Sequence, residues 1–171
     1  DGFELAAKMQ AQAERFGAVT EYAEVYGADL ALDPKVVKTS EGDFLGRTVV
    51  IATGAGPREL GLAEEQSLIG RGVAYCAACD GMFYKDKTVV VVGGGNSAAA
   101  DALLLSRVAK KVIVVHRRDS LRATKIYHQP LMEAENVEFC WNSTVEKILH
   151  GDKVSGVVVK DVNSGEERQI D

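Results

Sequence analysis

The sequence predicts an α/β fold built on a parallel sheet, and three neighbouring segments carry that prediction. Two β-branched runs, Thr88–Val92 and residues 112–115, have the length and composition of buried parallel strands. Residues 96–109 lie between them and are rich in alanine and leucine, which favours a helix. Strand, helix and strand in this order form one βαβ unit. We expect the first of the two strands to lie in the centre of its sheet.

The remaining elements follow from periodicity and turn residues. Residues 2–18 carry apolar side chains at helical spacing and end at Gly17, so they predict an amphipathic helix. Residues 19–25 and 34–39 predict short strands, and residues 48–52 predict a buried strand that enters a glycine-rich turn. Residues 122–135 predict a helix interrupted at Pro130. Four alternating segments predict short, mainly antiparallel strands: 137–142, 145–150, 154–162 and 167–171.

Composition excludes several classes of protein. The chain has 171 residues, enough for one domain or parts of two, and 46% of them are hydrophobic. A net charge of −5 offers no basic surface for nucleic acid or an anionic membrane. The apolar runs are too short to span a membrane. Three cysteines at uneven spacings do not suit a secreted disulfide scaffold, so we expect a cytoplasmic protein. The chain lacks a first methionine and ends in a strand-like segment, which suggests part of a longer protein.

The glycine-rich turn after the first β-branched strand predicts a dinucleotide site. Gly93, Gly95 and Ala98 form a G-x-G-x-x-A pattern between a strand and a helix. The first glycine permits a tight turn, the second admits a pyrophosphate, and the small third residue lets helix and strand pack closely. The helix N-terminus favours the anion. The alternative is a structural turn without a ligand. The candidate binding residues are Gly93, Gly94, Gly95, Asn96, Ser97 and Ala98.

Basic residues at the end of the second strand indicate which dinucleotide is bound. An NAD site places a carboxylate about 20 residues after the glycines to hold the ribose hydroxyls. This chain instead has His116, Arg117 and Arg118, followed by Arg122. Guanidinium groups bind a 2′-phosphate as bidentate donors. The pattern therefore favours NADPH over NADH, and the alternative is an ordinary solvated basic turn.

A C-x-x-C pair, Cys76 and Cys79, is the third chemical feature. A structural zinc needs four ligands, and the spacing of Cys140 and His150 matches no usual zinc pattern. A purely structural disulfide across so short a loop removes little chain entropy. A reversible dithiol therefore fits best, with Asp80 placed for proton transfer. We expect Cys140 to be an inert buried thiol. Because thiols accept hydrides poorly, a flavin is the usual carrier between NADPH and a dithiol.

These motifs together resemble low-molecular-weight thioredoxin reductase. The segments RGVAYCAACDG, VVVVGGGNSAAADALLL, VVHRRDSLRA and VVIATGAGPREL match in order and spacing, and the resemblance covers essentially the whole chain. It implies Rossmann-like domains in a three-layer α/β fold, with residues 1–58 as a partial FAD-binding domain and residues 59–171 as the NADPH-binding domain. It further implies NADPH-dependent, FAD-mediated reduction of thioredoxin or a similar small dithiol protein by a homodimer.

The resemblance also implies residue roles. Cys79 would face the flavin, Cys76 would exchange with the substrate disulfide, and Asp80 would be the acid/base. Arg117, Arg118 and Arg122 would bind the 2′-phosphate, and residues Ala52, Thr53 and Gly54 would line the flavin site. The family's own glycine motif for FAD is missing from the first fifty residues, so we expect this chain alone to hold FAD poorly and to be inactive.

Two other functions remain open at this stage. One is an NADH-dependent flavoprotein of the hydroperoxide-reductase type, which shares the C-x-x-C pair but lacks the H-R-R pattern seen at residues 116–118. The other is an NADPH-binding redox module without turnover.

Overall fold

The computed structural model describes residues 1–171, which divide into two compact units, Asp1–Ala55 and Gly56–Asp171. The division falls close to the predicted boundary, while the assignment of the two parts to FAD and NADPH stays a prediction. No helix combines the length and apolar character needed to cross a membrane.

The N-terminal unit begins with the predicted amphipathic helix, α1, which spans Gly2–Arg15. Asp1 caps it, because its carboxylate accepts a hydrogen bond from the N–H of Glu4 at 2.8 Å. Gly17 follows the helix with a φ of +89°, the left-handed conformation that glycine adopts readily at a helix end. None of the residues of this unit is buried. The apolar side chains of α1 are therefore exposed within the unit that carries them.

Three antiparallel strands complete the N-terminal unit: β1 (Val25–Asp29), β2 (Lys35–Thr39) and β3 (Gly42–Gly46). The predicted strand at residues 19–25 is wrong except for its last residue. The hydroxyls of Thr20 and Tyr22 instead donate to side chains of α1. The predicted strand at residues 48–52 is also wrong. A strand needs a neighbour to pair with its backbone, and these residues pair with none.

The C-terminal unit contains the predicted parallel sheet. Its strands are β4 (Thr88–Val92), β5 (Lys111–Val115) and β6 (Val137–Cys140), hydrogen-bonded in the order β4-β5-β6. The central strand is therefore β5, and the expectation that β4 is central is wrong. Burial follows this order, because four of the five residues of β5 are buried and β4 has none.

Three α-helices belong to this unit: α2 (Ala77–Asp80), α3 (Asn96–Leu105) and α4 (His128–Glu133). The predicted helix at residues 96–109 is confirmed but ends four residues early. The Asn136 side chain donates to the carbonyls of Ser106 and Ala109 at 2.9 and 3.0 Å, which holds that segment in a turn. Pro130 is the third residue of α4. It lies in the first turn, where a missing N–H leaves no intrahelical bond unmade.

The predicted antiparallel strands form a separate meander: β7 (Ser143–His150), β8 (Val154–Asp161) and β9 (Glu167–Ile170). One face of the parallel sheet packs on α3 and α4, with Leu131 fully buried. The other face packs on the meander, where Val115 and Val159 meet. The three-layer α/β fold is thus confirmed in this unit, with helices, parallel sheet and antiparallel sheet as its layers.

Candidate functional site

The C-x-x-C pair lies at the start of α2 and is joined as a disulfide. Cys76 and Cys79 are bonded, with their Cα atoms 5.2 Å apart. Cys76 is the N-cap residue of the helix, and its Sγ accepts a hydrogen bond from the N–H of Cys79 at 3.1 Å. Cys79 is exposed and Cys76 is half-buried. An N–H that points at a sulfur also stabilises the thiolate formed when the disulfide is reduced.

Asp80 closes the turn that carries the two cysteines. Its backbone N–H donates to the carbonyl of Cys76 at 3.0 Å, and its side chain is half-buried. Burial first, and the negative charge of Asp80 second, raise the pKa of Tyr84. Asp80 directly follows Cys79, so its carboxylate lies one residue along the chain from the redox pair.

A second carboxyl group near the pair was missed by sequence reasoning. Asp101 projects from α3, which packs on α2. Burial raises the pKa of Asp101, and the nearby N–H of Ala77 partly offsets the shift. Ala77 lies between the two cysteines, so this carboxyl faces the redox helix. Its only sequence signal is a single acidic residue within the otherwise small and apolar segment Asn96–Leu105.

A buried Glu–Tyr pair beside the cysteines was also missed. The Tyr75 hydroxyl donates to the carboxylate of Glu65 at 2.8 Å. Burial by itself would raise the pKa of Glu65, but hydrogen bonds from the Leu60 N–H, the Tyr75 hydroxyl and the adjoining loop hold that pKa below its ordinary value. Burial and the bond to Glu65 raise the pKa of Tyr75 to about 12. The carboxylate is therefore charged and the hydroxyl protonated at neutral pH.

The glycine turn connects β4 to α3 and has no room for larger residues at its first two positions. Gly93 has a φ of +134°, and a Cβ placed there would lie 3.0 Å from the Cβ of Ala98. A Cβ on Gly94 would overlap the imidazole ring of His116. Gly95 is different, because a Cβ there would meet only an Arg122 guanidinium nitrogen at 4.0 Å. Gly95, which is half-buried, thus leaves open space at the N-terminus of a ten-residue helix.

The arginine-bearing loop, residues 116–124, is hydrogen-bonded to this turn. The N–H groups of Arg122 and Ala123 donate to the carbonyl of Gly94 at 2.7 and 3.0 Å. The side-chain oxygen of Asn96 accepts from the N–H of Thr124 at 2.8 Å. Three predicted phosphate-binding side chains on this loop are exposed: Arg117, Arg118 and Arg122. The structure therefore brings the glycine turn and the arginines together.

His116 is placed differently from the three arginines. Its side chain is 6% exposed, and its Nε2 is buried without a hydrogen-bond partner. Burial, followed by the positive charges of Arg118 and Arg122, lowers the pKa of His116, so the ring is neutral. The ring lies against Gly94 and meets Trp141 edge-on at 6.4 Å between ring centroids. This packing supports the turn, and direct contact of His116 with a cofactor stays a prediction.

The proposed flavin-lining residues lie in the N-terminal unit. Ala52, Thr53 and Gly54 are exposed and belong to no helix or strand, and Gly54 has a φ of +77°. Within that unit they form no enclosed surface that would hold a flavin. Cys140, in contrast, is placed as predicted for a buried thiol. It is 4% exposed, and its Sγ accepts a hydrogen bond from the Arg168 guanidinium at 3.0 Å.

Substitution of Gly94 tests the packing beneath the turn. We expect Gly94→Ala to lower the free energy of unfolding by about 2 kcal/mol, because the new methyl group would displace a buried ring that has no free space. The matched control is Gly95→Ala, where the added methyl group has room, and only a smaller loss of about 0.5 kcal/mol is expected, because Gly95 is the N-cap of α3 and alanine caps a helix less well than glycine. Urea unfolding of the three proteins measures both values. Equal stability of the two variants would contradict this account of the turn.

Comparison with known proteins agrees with this arrangement. Residues 4–171 match the family model described as pyridine nucleotide-disulphide oxidoreductase. The chain is 45% identical over 170 residues to a thioredoxin reductase of Streptomyces clavuligerus, covering 99% of this chain and 53% of that protein. It is 43% identical over 170 residues to a thioredoxin reductase of Bacillus subtilis, covering 99% of this chain and 54% of that protein. The chain thus spans about half the length of the curated relatives it matches.

Solved structures give the same result. The crystal structure of Lactococcus lactis thioredoxin reductase superposes with a TM-score of 0.78 at 38% identity, covering 99% of this chain and 56% of that chain. The thioredoxin reductase of T. acidophilum superposes with a TM-score of 0.74 at 31% identity, over the same shares of the two chains.

Proposed function

Because this chain belongs to the pyridine nucleotide-disulphide oxidoreductase family, we propose that it contributes the NADPH site and the redox pair of a disulfide reductase. The reaction proposed for the whole protein is NADPH-dependent, FAD-mediated reduction of the disulfide of thioredoxin or a similar small dithiol protein. One observation carries this proposal. A disulfide at the start of α2 and an arginine-flanked glycine turn lie in the same compact unit.

The residues at the glycine turn fit NADPH. A pyrophosphate needs close access to backbone N–H groups, and Gly95 leaves open space at the start of α3, where an added Cβ would meet only an Arg122 guanidinium nitrogen at 4.0 Å. The ten-residue helix α3 begins at this turn, so its free N–H groups favour an anion. Arg117, Arg118 and Arg122 are exposed on the loop bonded to Gly94, and would hold the 2′-phosphate.

The proposal of a flavin rests on membership of the family, because this structure shows no enclosed binding site for one. When bound, FAD supplies two-electron chemistry between a nicotinamide and a disulfide. Residues Ala52, Thr53 and Gly54 are the candidates to line its site. The proposed assembly of the whole protein is a homodimer, and its proposed compartment is the cytoplasm, where thiols stay reduced.

The residues around the redox pair support exchange with a protein disulfide. In the reduced pair, the thiolate of Cys76 would attack one sulfur of the substrate disulfide, forming a mixed disulfide and releasing the other sulfur as a thiolate. Cys79 would then attack Cys76, which restores the bond seen here and releases the second substrate sulfur. Asp80 lies next to Cys79 and would transfer the protons. Shortly after Asp80 the chain exposes two apolar side chains, Met82 and Phe83. These side chains offer a surface for a protein substrate.

The test requires a protein of the relatives' full length that contains this chain. With FAD bound and oxidised thioredoxin present, we expect NADPH to be oxidised and thioredoxin thiols to appear, both followed by absorbance. NADH at the same concentration should support much slower turnover. Equal rates with NADH, or turnover with hydroperoxide-reductase substrates in place of thioredoxin, would favour the NADH-dependent flavoprotein. Binding of NADPH without turnover by the FAD-loaded protein would favour the redox module.

A further inference from the structure

The buried carboxylate of Glu65 lies at the centre of a hydrogen-bond network. The side chain is 2% exposed. Its oxygens accept from the N–H groups of Leu60 and Gly61 at 2.9 and 2.8 Å, and from the Tyr75 hydroxyl at 2.8 Å. A buried carboxylate is expensive to desolvate unless several donors compensate it. Three donors compensate the Glu65 carboxylate, so its position is fixed, and its hydrogen bond holds the Tyr75 hydroxyl in place.

The Tyr75 side chain is attached one residue before Cys76. Its fixed hydroxyl therefore restrains the backbone that leads into the redox pair. The same segment is held further upstream, because the N–H of Val154 donates to the carbonyl of Arg71 at 2.9 Å. Gly72 packs so closely on Val154 that a Cβ there would overlap that side chain. The segment that precedes Cys76 is therefore restrained at two places, by Val154 near Arg71 and by Glu65 at Tyr75.

We propose that Glu65, acting through Tyr75, is a positioning residue that holds Cys76 within bonding reach of Cys79. This inference rests on the proposed function, in which these two cysteines form and break their disulfide. Closing a disulfide requires the two sulfurs to meet, and a restrained backbone loses less conformational freedom when they do. Loss of the restraint should therefore favour the open dithiol over the disulfide. Neither side chain is hydrogen-bonded to either sulfur.

The thiol–disulfide equilibrium of the 171-residue chain with glutathione measures this effect without flavin or nucleotide. In the reaction, two glutathione thiols reduce the 76–79 disulfide, giving two protein thiols and one glutathione disulfide. We expect Tyr75→Phe to lower the equilibrium constant for disulfide formation about two- to ten-fold, which is the range for loss of one such hydrogen bond. Tyr127→Phe is the matched control. The Tyr127 hydroxyl makes no hydrogen bond in this structure, so its removal should leave the constant unchanged.

A double-mutant cycle shows whether Glu65 acts through Tyr75. Glu65→Gln should also weaken the disulfide, and adding Tyr75→Phe to it should give little further change, because the two residues share one interaction. Circular dichroism and the melting temperatures of both redox forms follow folding separately, and a loss of stability that is equal in the oxidised and reduced forms would not move the glutathione equilibrium. An unchanged constant in Tyr75→Phe, or fully additive effects of the two variants, would overturn the inference. A wild-type disulfide that glutathione never opens and closes reversibly would overturn the proposed function itself.

Discussion

Replacement of Cys79 by serine should reduce NADPH-driven thioredoxin reduction at least about a thousand-fold in the FAD-bound, full-length protein. The physical reason is that a serine hydroxyl can neither form the disulfide with Cys76 nor resolve a mixed disulfide. Cys76→Ser should have an effect of the same size, because the pair acts as a unit. The measurement is the NADPH oxidation rate at saturating thioredoxin.

The control for this prediction is Cys140→Ser. Cys140 is buried, and its sulfur accepts a hydrogen bond from Arg168 that a hydroxyl can also accept. We expect its turnover to stay within about two-fold of wild type. If the Cys79→Ser protein keeps a tenth of the wild-type turnover, with FAD bound and the fold intact, the electrons do not pass through the pair Cys76 and Cys79.

The second large effect concerns the choice of cofactor. We expect the combined variant Arg117→Ala, Arg118→Ala and Arg122→Ala to raise the Kd for NADPH about a hundred-fold, because each exposed guanidinium contributes about 1 kcal/mol to binding a 2′-phosphate. The Kd for NADH should change little, since NADH lacks that phosphate. Binding to the wild-type chain should also weaken as salt rises, and less so in the variant.

Arg107→Ala is the matched control for the arginine variant. It removes an exposed arginine of the same unit that lies outside the loop 116–124. Isothermal titration of NADPH and NADH into the three proteins gives the values. A parallel loss of both nucleotides in the triple variant would contradict a 2′-phosphate site, because it would indicate general damage to the turn.

Local sequence patterns were sufficient for the part of the site that lies on consecutive residues. The βαβ unit was predicted because β-branched runs and an alanine-rich helix differ in composition and period. The glycine turn was predicted because a G-x-G-x-x-A pattern lies between a predicted strand and a predicted helix. The reversible dithiol was predicted because the C-x-x-C spacing brings two thiols close together, while the other cysteine and the histidines complete no usual zinc pattern. Each of these features depends on residues that are close in the chain.

The features that sequence reasoning missed depend on residues that are distant in the chain. Glu65 and Tyr75 are ten residues apart, and a lone glutamate or tyrosine has no pattern that predicts their bond. Asp101 faces Ala77 only because α3 packs on α2. His116 is the first residue of a basic segment in the sequence, yet its ring is buried against Gly94.

The wrong strand predictions have the same physical origin. An apolar run indicates that a segment would be stable when covered, but not which element covers it. Residues 48–52 carry such a run, and Val50 and Ile51 are 83% and 70% exposed in this structure. The expectation for β4 failed similarly, because composition shows that a strand belongs to a parallel sheet but not its place in the strand order.

A count of thiols after one equivalent of NADPH tests most directly whether electrons from NADPH reach the 76–79 disulfide. The FAD-bound, full-length protein is mixed with NADPH without oxygen, and new thiols are alkylated and located by mass spectrometry. We expect two new thiols per NADPH, at Cys76 and Cys79, with the labelling of Cys140 unchanged. Oxidation of NADPH that leaves the 76–79 disulfide closed would contradict this expectation.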